Sequence, residues 1–222
     1  MPPVPETSAR PADPAVTNDY DSFAEAYSAE NEASLLNAYY ERPAMLALAG
    51  DVAGRRILDA GCGSGPLFAA LRDRGAIVTG FDSSAKMLQL ARRRLGPAAD
   101  LHLADLGSPL PFPDAAFDDV IACLVLHYLQ DWTAPLAELR RVLRPGGRLL
   151  FAEHGRAPEA GVARWQDRLT PIWRRLAGGC HLNRKPDDLI HSAGFSIESL
   201  ETGYLKGPRP MGFVYAGSAS AR

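Results

Sequence analysis

Residues 56–65 constrain this chain more than any other stretch. An apolar run, Ile57-Leu58, ends on Asp59 and passes into Ala60-Gly61-Cys62-Gly63-Ser64-Gly65, after which an amphipathic helical pattern begins. Strand, glycine turn and helix in that order form the first unit of an open α/β sheet, whose ligands bind beyond the carboxyl ends of the strands. Glycine lets the backbone approach such a ligand closely. The dinucleotide fingerprint spaces its glycines G-x-G-x-x-G and sets a pyrophosphate on the helix N-terminus. Here Gly61, Gly63 and Gly65 bring the third glycine one residue early. Asp59, directly before the loop, would repel a pyrophosphate and attract a cationic amino-acid group. The loop points to a nucleoside-type ligand that lacks phosphates and carries positive charge.

The rest of the chain supplies the sheet. Short β-rich runs at Arg55–Asp59, Ala76–Phe81, Asp100–Ala104, Phe117–Leu124 and Gly147–Glu153 alternate with helical patterns at Gly65–Arg74, Ser83–Leu95 and Ala134–Leu143. That alternation is the signal of βαβ units and a mostly parallel sheet. Ser83 is typed to cap its helix. Later come a helix at Val162–Leu176, a helix at Pro186–Ser192 and strand-like runs at Phe195–Leu200 and Met211–Ala216 suited to a hairpin, which makes seven strands. Asp82 closes the second strand, where a carboxylate can accept hydrogen bonds from ribose hydroxyls. Asp105 closes the third, where it can accept from an adenine amino group while Leu106 packs on the ring. Any one of these acids could cap a helix or turn, but three at consecutive strand ends favour a ligand.

The 222 residues, 46% of them apolar, suit one domain with one core. Residues 1–17, rich in Pro and Ala, read as a disordered tail. Residues 18–52 read as a helical cap, and residues 158–185 as an insert on the substrate side of a single domain spanning 18–222. With 24 basic against 26 acidic residues, no global attraction to nucleic acid or membrane is expected. Cys62, Cys123 and Cys180 fit neither a metal spacing nor a disulfide framework, and no metal site is expected. With neither a signal-type leader nor a long apolar segment, a cytoplasmic protein is expected. Arg92-Arg93-Arg94 reads as a solvated helix face.

Taken jointly, LDAGCGSG at 58–65, GFD at 80–82, ADL at 104–106, PLPFPDAAFDDVIA from Pro109 and LRPGG at 143–147 resemble the class I methyltransferases over roughly residues 18–155. The resemblance implies a Rossmann-like seven-stranded sheet with the last strand antiparallel. It implies S-adenosylmethionine, which has no phosphates and carries ammonium and sulfonium charges, as cofactor. It places cofactor contacts at Asp59, Gly61, Gly63, Asp82, Asp105 and near Cys123. Cys62, Gly65, Ser83, Met87 and Leu106 complete the expected set, and Tyr20 and Tyr27 in the cap are candidates to close over it.

The acceptor side is expected after the fourth and fifth strands. His127 in Leu126-His127-Tyr128 and His154 after Glu153 are candidate bases or substrate contacts, since histidine titrates near neutrality. Either could equally make a structural hydrogen bond. Tyr128, Trp165, Trp173 and His181 are candidate substrate residues. Glu153-His154, Trp165, Leu169-Thr170-Pro171-Ile172-Trp173, residues 179–184 and Ala193-Gly194-Phe195 resemble the thiol methyltransferase branch, which implies a small thiol as acceptor. Methylation of oxygen or nitrogen on a small metabolite, and a cofactor-binding chain that transfers no methyl group, stay open. Nucleic acid is disfavoured, because Cys123-Leu124-Val125-Leu126 stands where base-amino enzymes carry Asn/Asp-Pro-Pro-aromatic. Oligomeric state is left open.

Overall fold

A computed structural model describes residues 42–176 and 179–221, together with Ala24, Glu25 and Ser28. The tail at 1–17, and Tyr20 and Tyr27 in the cap, lie outside the described residues. In chain order the elements are α1 (Arg42–Ala49), β1 (Arg56–Ala60), α2 (Pro66–Asp73), β2 (Ile77–Asp82), α3 (Ala85–Leu95), β3 (Asp100–Leu103) and β4 (Phe117–Cys123). After a 3-10 turn (Leu126–Tyr128) follow α4 (Thr133–Val142), β5 (Leu143–His154), α5 (Ala160–Leu176), α6 (Pro186–Ser192), β6 (Phe195–Tyr204), α7 (Arg209–Gly212) and β7 (Phe213–Ala221).

The seven strands form one sheet in the order β3-β2-β1-β4-β5-β7-β6. The first five pair in parallel, and β7 runs antiparallel to both its neighbours, as a hairpin with β6 inserted beside β5. Side chains alternate between two covered faces. Leu58, Ala60, Val120, Ala122, Leu149 and Phe151 pack with Leu136 and Leu139 of α4 and Ile190 of α6. Ile57, Ile121, Leu150 and Ala152 pack on the other face with Met45 of α1, Leu71 of α2 and Ala91 of α3.

Three expectations shift. Ser84, not Ser83, caps α3: its side chain accepts the Met87 N–H at 3.1 Å, while Ser83 is exposed. The fifth strand begins at Leu143 instead of Gly147, because Leu143 already pairs with Phe117 and the register then slips across the intervening Arg-Pro-Gly-Gly. That sequence is thus an irregularity inside the strand. The hairpin strands run to Tyr204 and Ala221.

At the amino ends of the central strands, Asp119 is fully buried between Arg55 and Arg148, which donate to it from Nε and Nη2 at 2.5 to 3.0 Å. The group joins β4, β5 and the residue entering β1. At the opposite end, the insert is fastened by Gln166, whose Oε1 accepts from the Ala157 N–H (2.8 Å) and whose Nε2 donates to the carbonyls of Gly155 (2.9 Å) and Pro210 (3.1 Å).

Candidate active site

Strand order reverses between β1 and β4, and the crevice beyond their carboxyl ends is where ligands of such sheets bind. One wall comes from β1, β2 and the segment after β3, the other from the segment after β4 and the end of β5.

On the first wall the loop at 61–65 needs its glycines. Gly61, Gly63 and Gly65 have φ of +72°, +54° and +80°, a region that other residues enter only at a cost. A side chain on Gly61 would place Cβ 2.5 Å from Cγ2 of Val125 across the crevice, whereas one on Gly63 would meet nothing within 4 Å. Gly63 therefore offers the open cradle, and Gly61 the contact between the two walls. Gly61→Ala should weaken cofactor binding at least tenfold and lower Tm, since the backbone conformation and Val125 must both give; an unchanged Kd by calorimetry would count against this loop as the cradle.

Asp59 is 3% exposed. The Phe68 N–H in the first turn of α2 donates to its carboxyl, but Oδ2 is buried with no hydrogen-bond partner among the described residues. Burial, followed by the charge of Asp82, pushes the carboxyl up to about 7, against the Phe68 bond. A buried acceptor left empty is costly unless something fills it. Asp82 clamps the loop: Oδ2 accepts the Gly63 N–H (2.9 Å) and Oδ1 the Ser84 N–H (2.8 Å). A carboxylate at this strand end is an acceptor type that hydroxyls can meet. Arg94 supports the loop from behind, donating to the Ser64 carbonyl at 2.9 Å; it belongs to the basic run that reads from sequence only as a solvated face.

The other expected cofactor residues fall at the same edge. Asp105 is exposed and accepts the Gly107 N–H at 2.6 Å; Leu106 is buried in the core. Met87 is buried in α3, and Cys123 is half-buried at the end of β4. Cys62 is buried, and burial with the charges of Asp59 and Asp82 holds its thiol far above the usual range, so it packs and does not react. These residues fit S-adenosylmethionine: an unfilled buried carboxyl for its cationic amino-acid end, an open glycine face, and strand-end acids for its hydroxyls and base.

The second wall begins with Leu124, whose φ of +52° turns the chain sharply out of β4. The next three N–H groups converge on Glu153, which is fully buried. Oε1 accepts from Val125 (2.9 Å) and Leu126 (2.7 Å), and Oε2 from the His127 N–H (3.2 Å). The His127 ring also meets Oε2, through Nδ1 at 2.7 Å. Against His127 lie the rings of Tyr128 (4.0 Å between centroids) and His154 (5.4 Å). Burial, then His127, pushes His154 down to about 4, and its Nδ1 is buried without a partner among the described residues. His181 is buried, with its N–H and Nδ1 each 3.2 Å from the His127 carbonyl. Trp173 donates to the buried thiol of the adjacent Cys180.

Trp165 is placed apart. It is 55% exposed and lines a surface groove with Glu159, Val162, Arg164, Arg168 and Arg209, none of which belongs to either wall. Glu153 is the residue that sequence reasoning left without a role at this site. Its signal was an acid at the end of a buried parallel strand, where a charge needs partners.

Residues 58–151 match the methyltransferase domain family. The chain is 39% identical over 132 residues to a malonyl-[acyl-carrier protein] O-methyltransferase of Serratia marcescens, a match covering 59% of this chain and 48% of that one. It is 32% identical over 151 residues to the thiol S-methyltransferase TMT1B of Rattus norvegicus, covering 65% and 62% respectively. The chain thus spans roughly half to three-fifths of these relatives' lengths. The crystal structure of an S-adenosylmethionine-dependent methyltransferase from Mesorhizobium loti superposes with a TM-score of 0.63 at 26% identity, covering 80% of this chain and 96% of that one. No helix among the described residues is long and apolar enough to cross a membrane, and no group of three or more acidic, histidine or cysteine side chains among them could hold a metal ion. Residues 58–151, on this sheet and around this glycine loop, carry a methyltransferase domain of the S-adenosylmethionine-dependent kind.

Proposed function

We propose that this chain methylates a small-molecule acceptor, a thiol first, with His127 taking the acceptor's proton. The observation that carries the reading is the buried contact between Nδ1 of His127 and Glu153 beside the crevice. When bound, the cofactor supplies a methyl carbon activated by a sulfonium, so alignment of the acceptor accounts for most of the acceleration. Asp59, the glycine loop, Asp82 and Asp105 hold and orient it. A neutral imidazole has one N–H, and the carboxylate keeps that hydrogen on Nδ1, which leaves Nε2 as the proton acceptor. No hydrogen bond to Nε2 is present among the described residues. His154, pushed down to about 4, is uncharged at neutrality and a weak base, and suits a contact with the acceptor better than deprotonation.

A thiol is favoured because its pKa of about 8.5 asks little of a base. The similarity to a thiol S-methyltransferase supports the same choice. The oxygen-methylating relative keeps O-methylation as the second reading. The test is to incubate the purified chain with labelled S-adenosylmethionine and a panel of small thiols, phenols, alcohols and amines, and to follow products by mass spectrometry. Label in thiols alone is expected. Label only on oxygen or nitrogen would overturn the thiol, and no label with tight cofactor binding would indicate a binder that transfers nothing. His127→Asn should keep cofactor affinity and lower turnover ten- to a hundredfold, less for acidic thiols than for alkyl thiols.

A further inference from the structure

We propose that Glu153 is a positioning residue that sets the tautomer of His127, and that His181 and Arg184 of the insert hold the same segment from its other side. This rests on the reading of His127 as the proton acceptor. Four donors reach the two oxygens of Glu153: three consecutive backbone N–H groups and the imidazole. The three backbone bonds fix the carboxylate against the turn at 125–127, and the fourth fixes the ring to the carboxylate.

Nothing in the local sequence could do this, since Glu153 lies 26 residues away and reaches His127 only because β5 pairs with β4. The bond is also dry, with side-chain exposures of 4% and 0%, so the charge of Glu153 acts on the ring with little solvent screening. When an acceptor thiol ionises, its S–H bond breaks and the proton goes to Nε2. The Nδ1–H stays on the ring, and the imidazolium so formed sits against a carboxylate.

The insert completes the arrangement. The His127 carbonyl can only accept, so His181 donates to it from both its backbone N–H and Nδ1, at 3.2 Å each. Its Nε2 is then an acceptor and faces Nη2 of Arg184 at 3.2 Å. Burial, then Arg184, holds His181 down to about 4, in keeping with a neutral ring. Arg184 further donates to the carbonyls of Leu129 and Gln130. His181 and Arg184 therefore grip the backbone of the acceptor-side segment, which gives His181 a positioning role in place of the substrate contact expected from sequence.

Glu153→Gln separates orientation from mere packing. The amide oxygen can keep accepting the Val125 and Leu126 N–H groups, but its NH2 in place of Oε2 gives up the His127 N–H bond, makes Nδ1 an acceptor and moves the ring hydrogen to Nε2. With 15N-histidine in the full chain, and His127→Asn to assign the signal, NMR should show the Nδ1–H form in the native protein and the Nε2–H form in the variant. Methylation of dithiothreitol should fall at least tenfold in kcat, with KM and cofactor Kd within about twofold. Glu153→Asp should recover part of that loss. The groups facing His127, namely Tyr128, Glu153, His154 and His181 with Arg184 behind it, are unchanged in charge except at 153, so a shifted kcat–pH profile reports that carboxylate. An Nε2–H ring in the native protein, or one tautomer in both proteins, would overturn the proposal. The native spectrum decides even if Glu153→Gln does not fold. Full turnover in His127→Asn, with the tautomer as expected, would instead sink the reading of His127 as base.

Discussion

Asp59→Asn should lose cofactor affinity by a hundredfold or more and, in the absence of cofactor, melt higher than the native protein. Both effects come from one oxygen. Oδ2 of Asp59 is buried with nothing to accept from among the described residues, and burial raises the carboxyl from 3.8 to about 7. A carboxyl whose folded value is raised binds its proton more tightly in the folded state. It therefore costs nothing below about 4, takes stability away as pH rises from there to about 7, and leaves a constant penalty above. Removing the charge removes a penalty on the order of 4 kcal/mol, or roughly 8–16 °C in Tm for a chain of this size. A cationic ligand reverses the sign, since it stabilises the ionised form. In the native protein, affinity should fall up to about tenfold per pH unit below 7 and level off above it, whereas Asp59→Asn should show no such slope. Calorimetry at pH 6, 7 and 8 reads this directly. Equal affinities for the two proteins would remove Asp59 from the cofactor site, and a lower Tm in the variant would mean that Oδ2 has a partner.

The position of Asp59 at the end of β1 was legible from sequence because the features that define it are local: an apolar strand, one acid, then glycines at fixed spacing. The five parallel strands were legible for the same reason, their apolar runs being bounded by turn residues. The hairpin was read short. Residues 217–221 are Gly-Ser-Ala-Ser-Ala, with no β-branched or aromatic signal, and they are strand because β5 and β6 pair with them on both sides. Ser83 and Ser84 are the same residue type one position apart, so only the backbone path after β2 decides which of them caps α3. The acceptor side was half legible. His127 and His154 could be placed at strand ends, but the partner of His127 comes from another strand, and the partners of His181 are backbone carbonyls that no side-chain pattern announces. Trp165 shows the converse limit: an aromatic in an amphipathic helix reads as core or as a substrate contact, yet the helix turns it outward, 55% exposed.

Asp119→Ala should be the most damaging substitution away from the crevice, costing about 3–5 kcal/mol, a large fraction of the stability of an ordinary domain. Asp119 is fully buried in the middle strand of the sheet, and its two oxygens take four hydrogen bonds from Arg55 and Arg148. Burial alone would raise this carboxyl, but its bonds to Arg148 and Arg55 outweigh burial and hold it below the usual carboxylate value. The two arginine side chains keep 27% and 31% of their surface exposed, so the cost of loss lies less in stranded cations than in the broken junction. Arg148 also donates to the Ala49 carbonyl at the end of α1, and Arg55 sits directly before β1. A depressed carboxylate contributes stability that is present above its unfolded value and is lost as pH falls through the lower folded value. Native protein should thus be destabilised by acid more steeply than Asp119→Asn, which should already be weaker at neutrality. Urea unfolding of the three proteins at pH 7 and pH 4 tests this. An Asp119→Ala protein within 1 kcal/mol of the native value would show that the strand ladder holds the junction without the ion group. The contrast with Asp59 is the physical point: two buried carboxyls lie on neighbouring strands of one sheet. The one with paired arginines stabilises the fold, and the one whose Oδ2 has no partner among the described residues destabilises it when ionised.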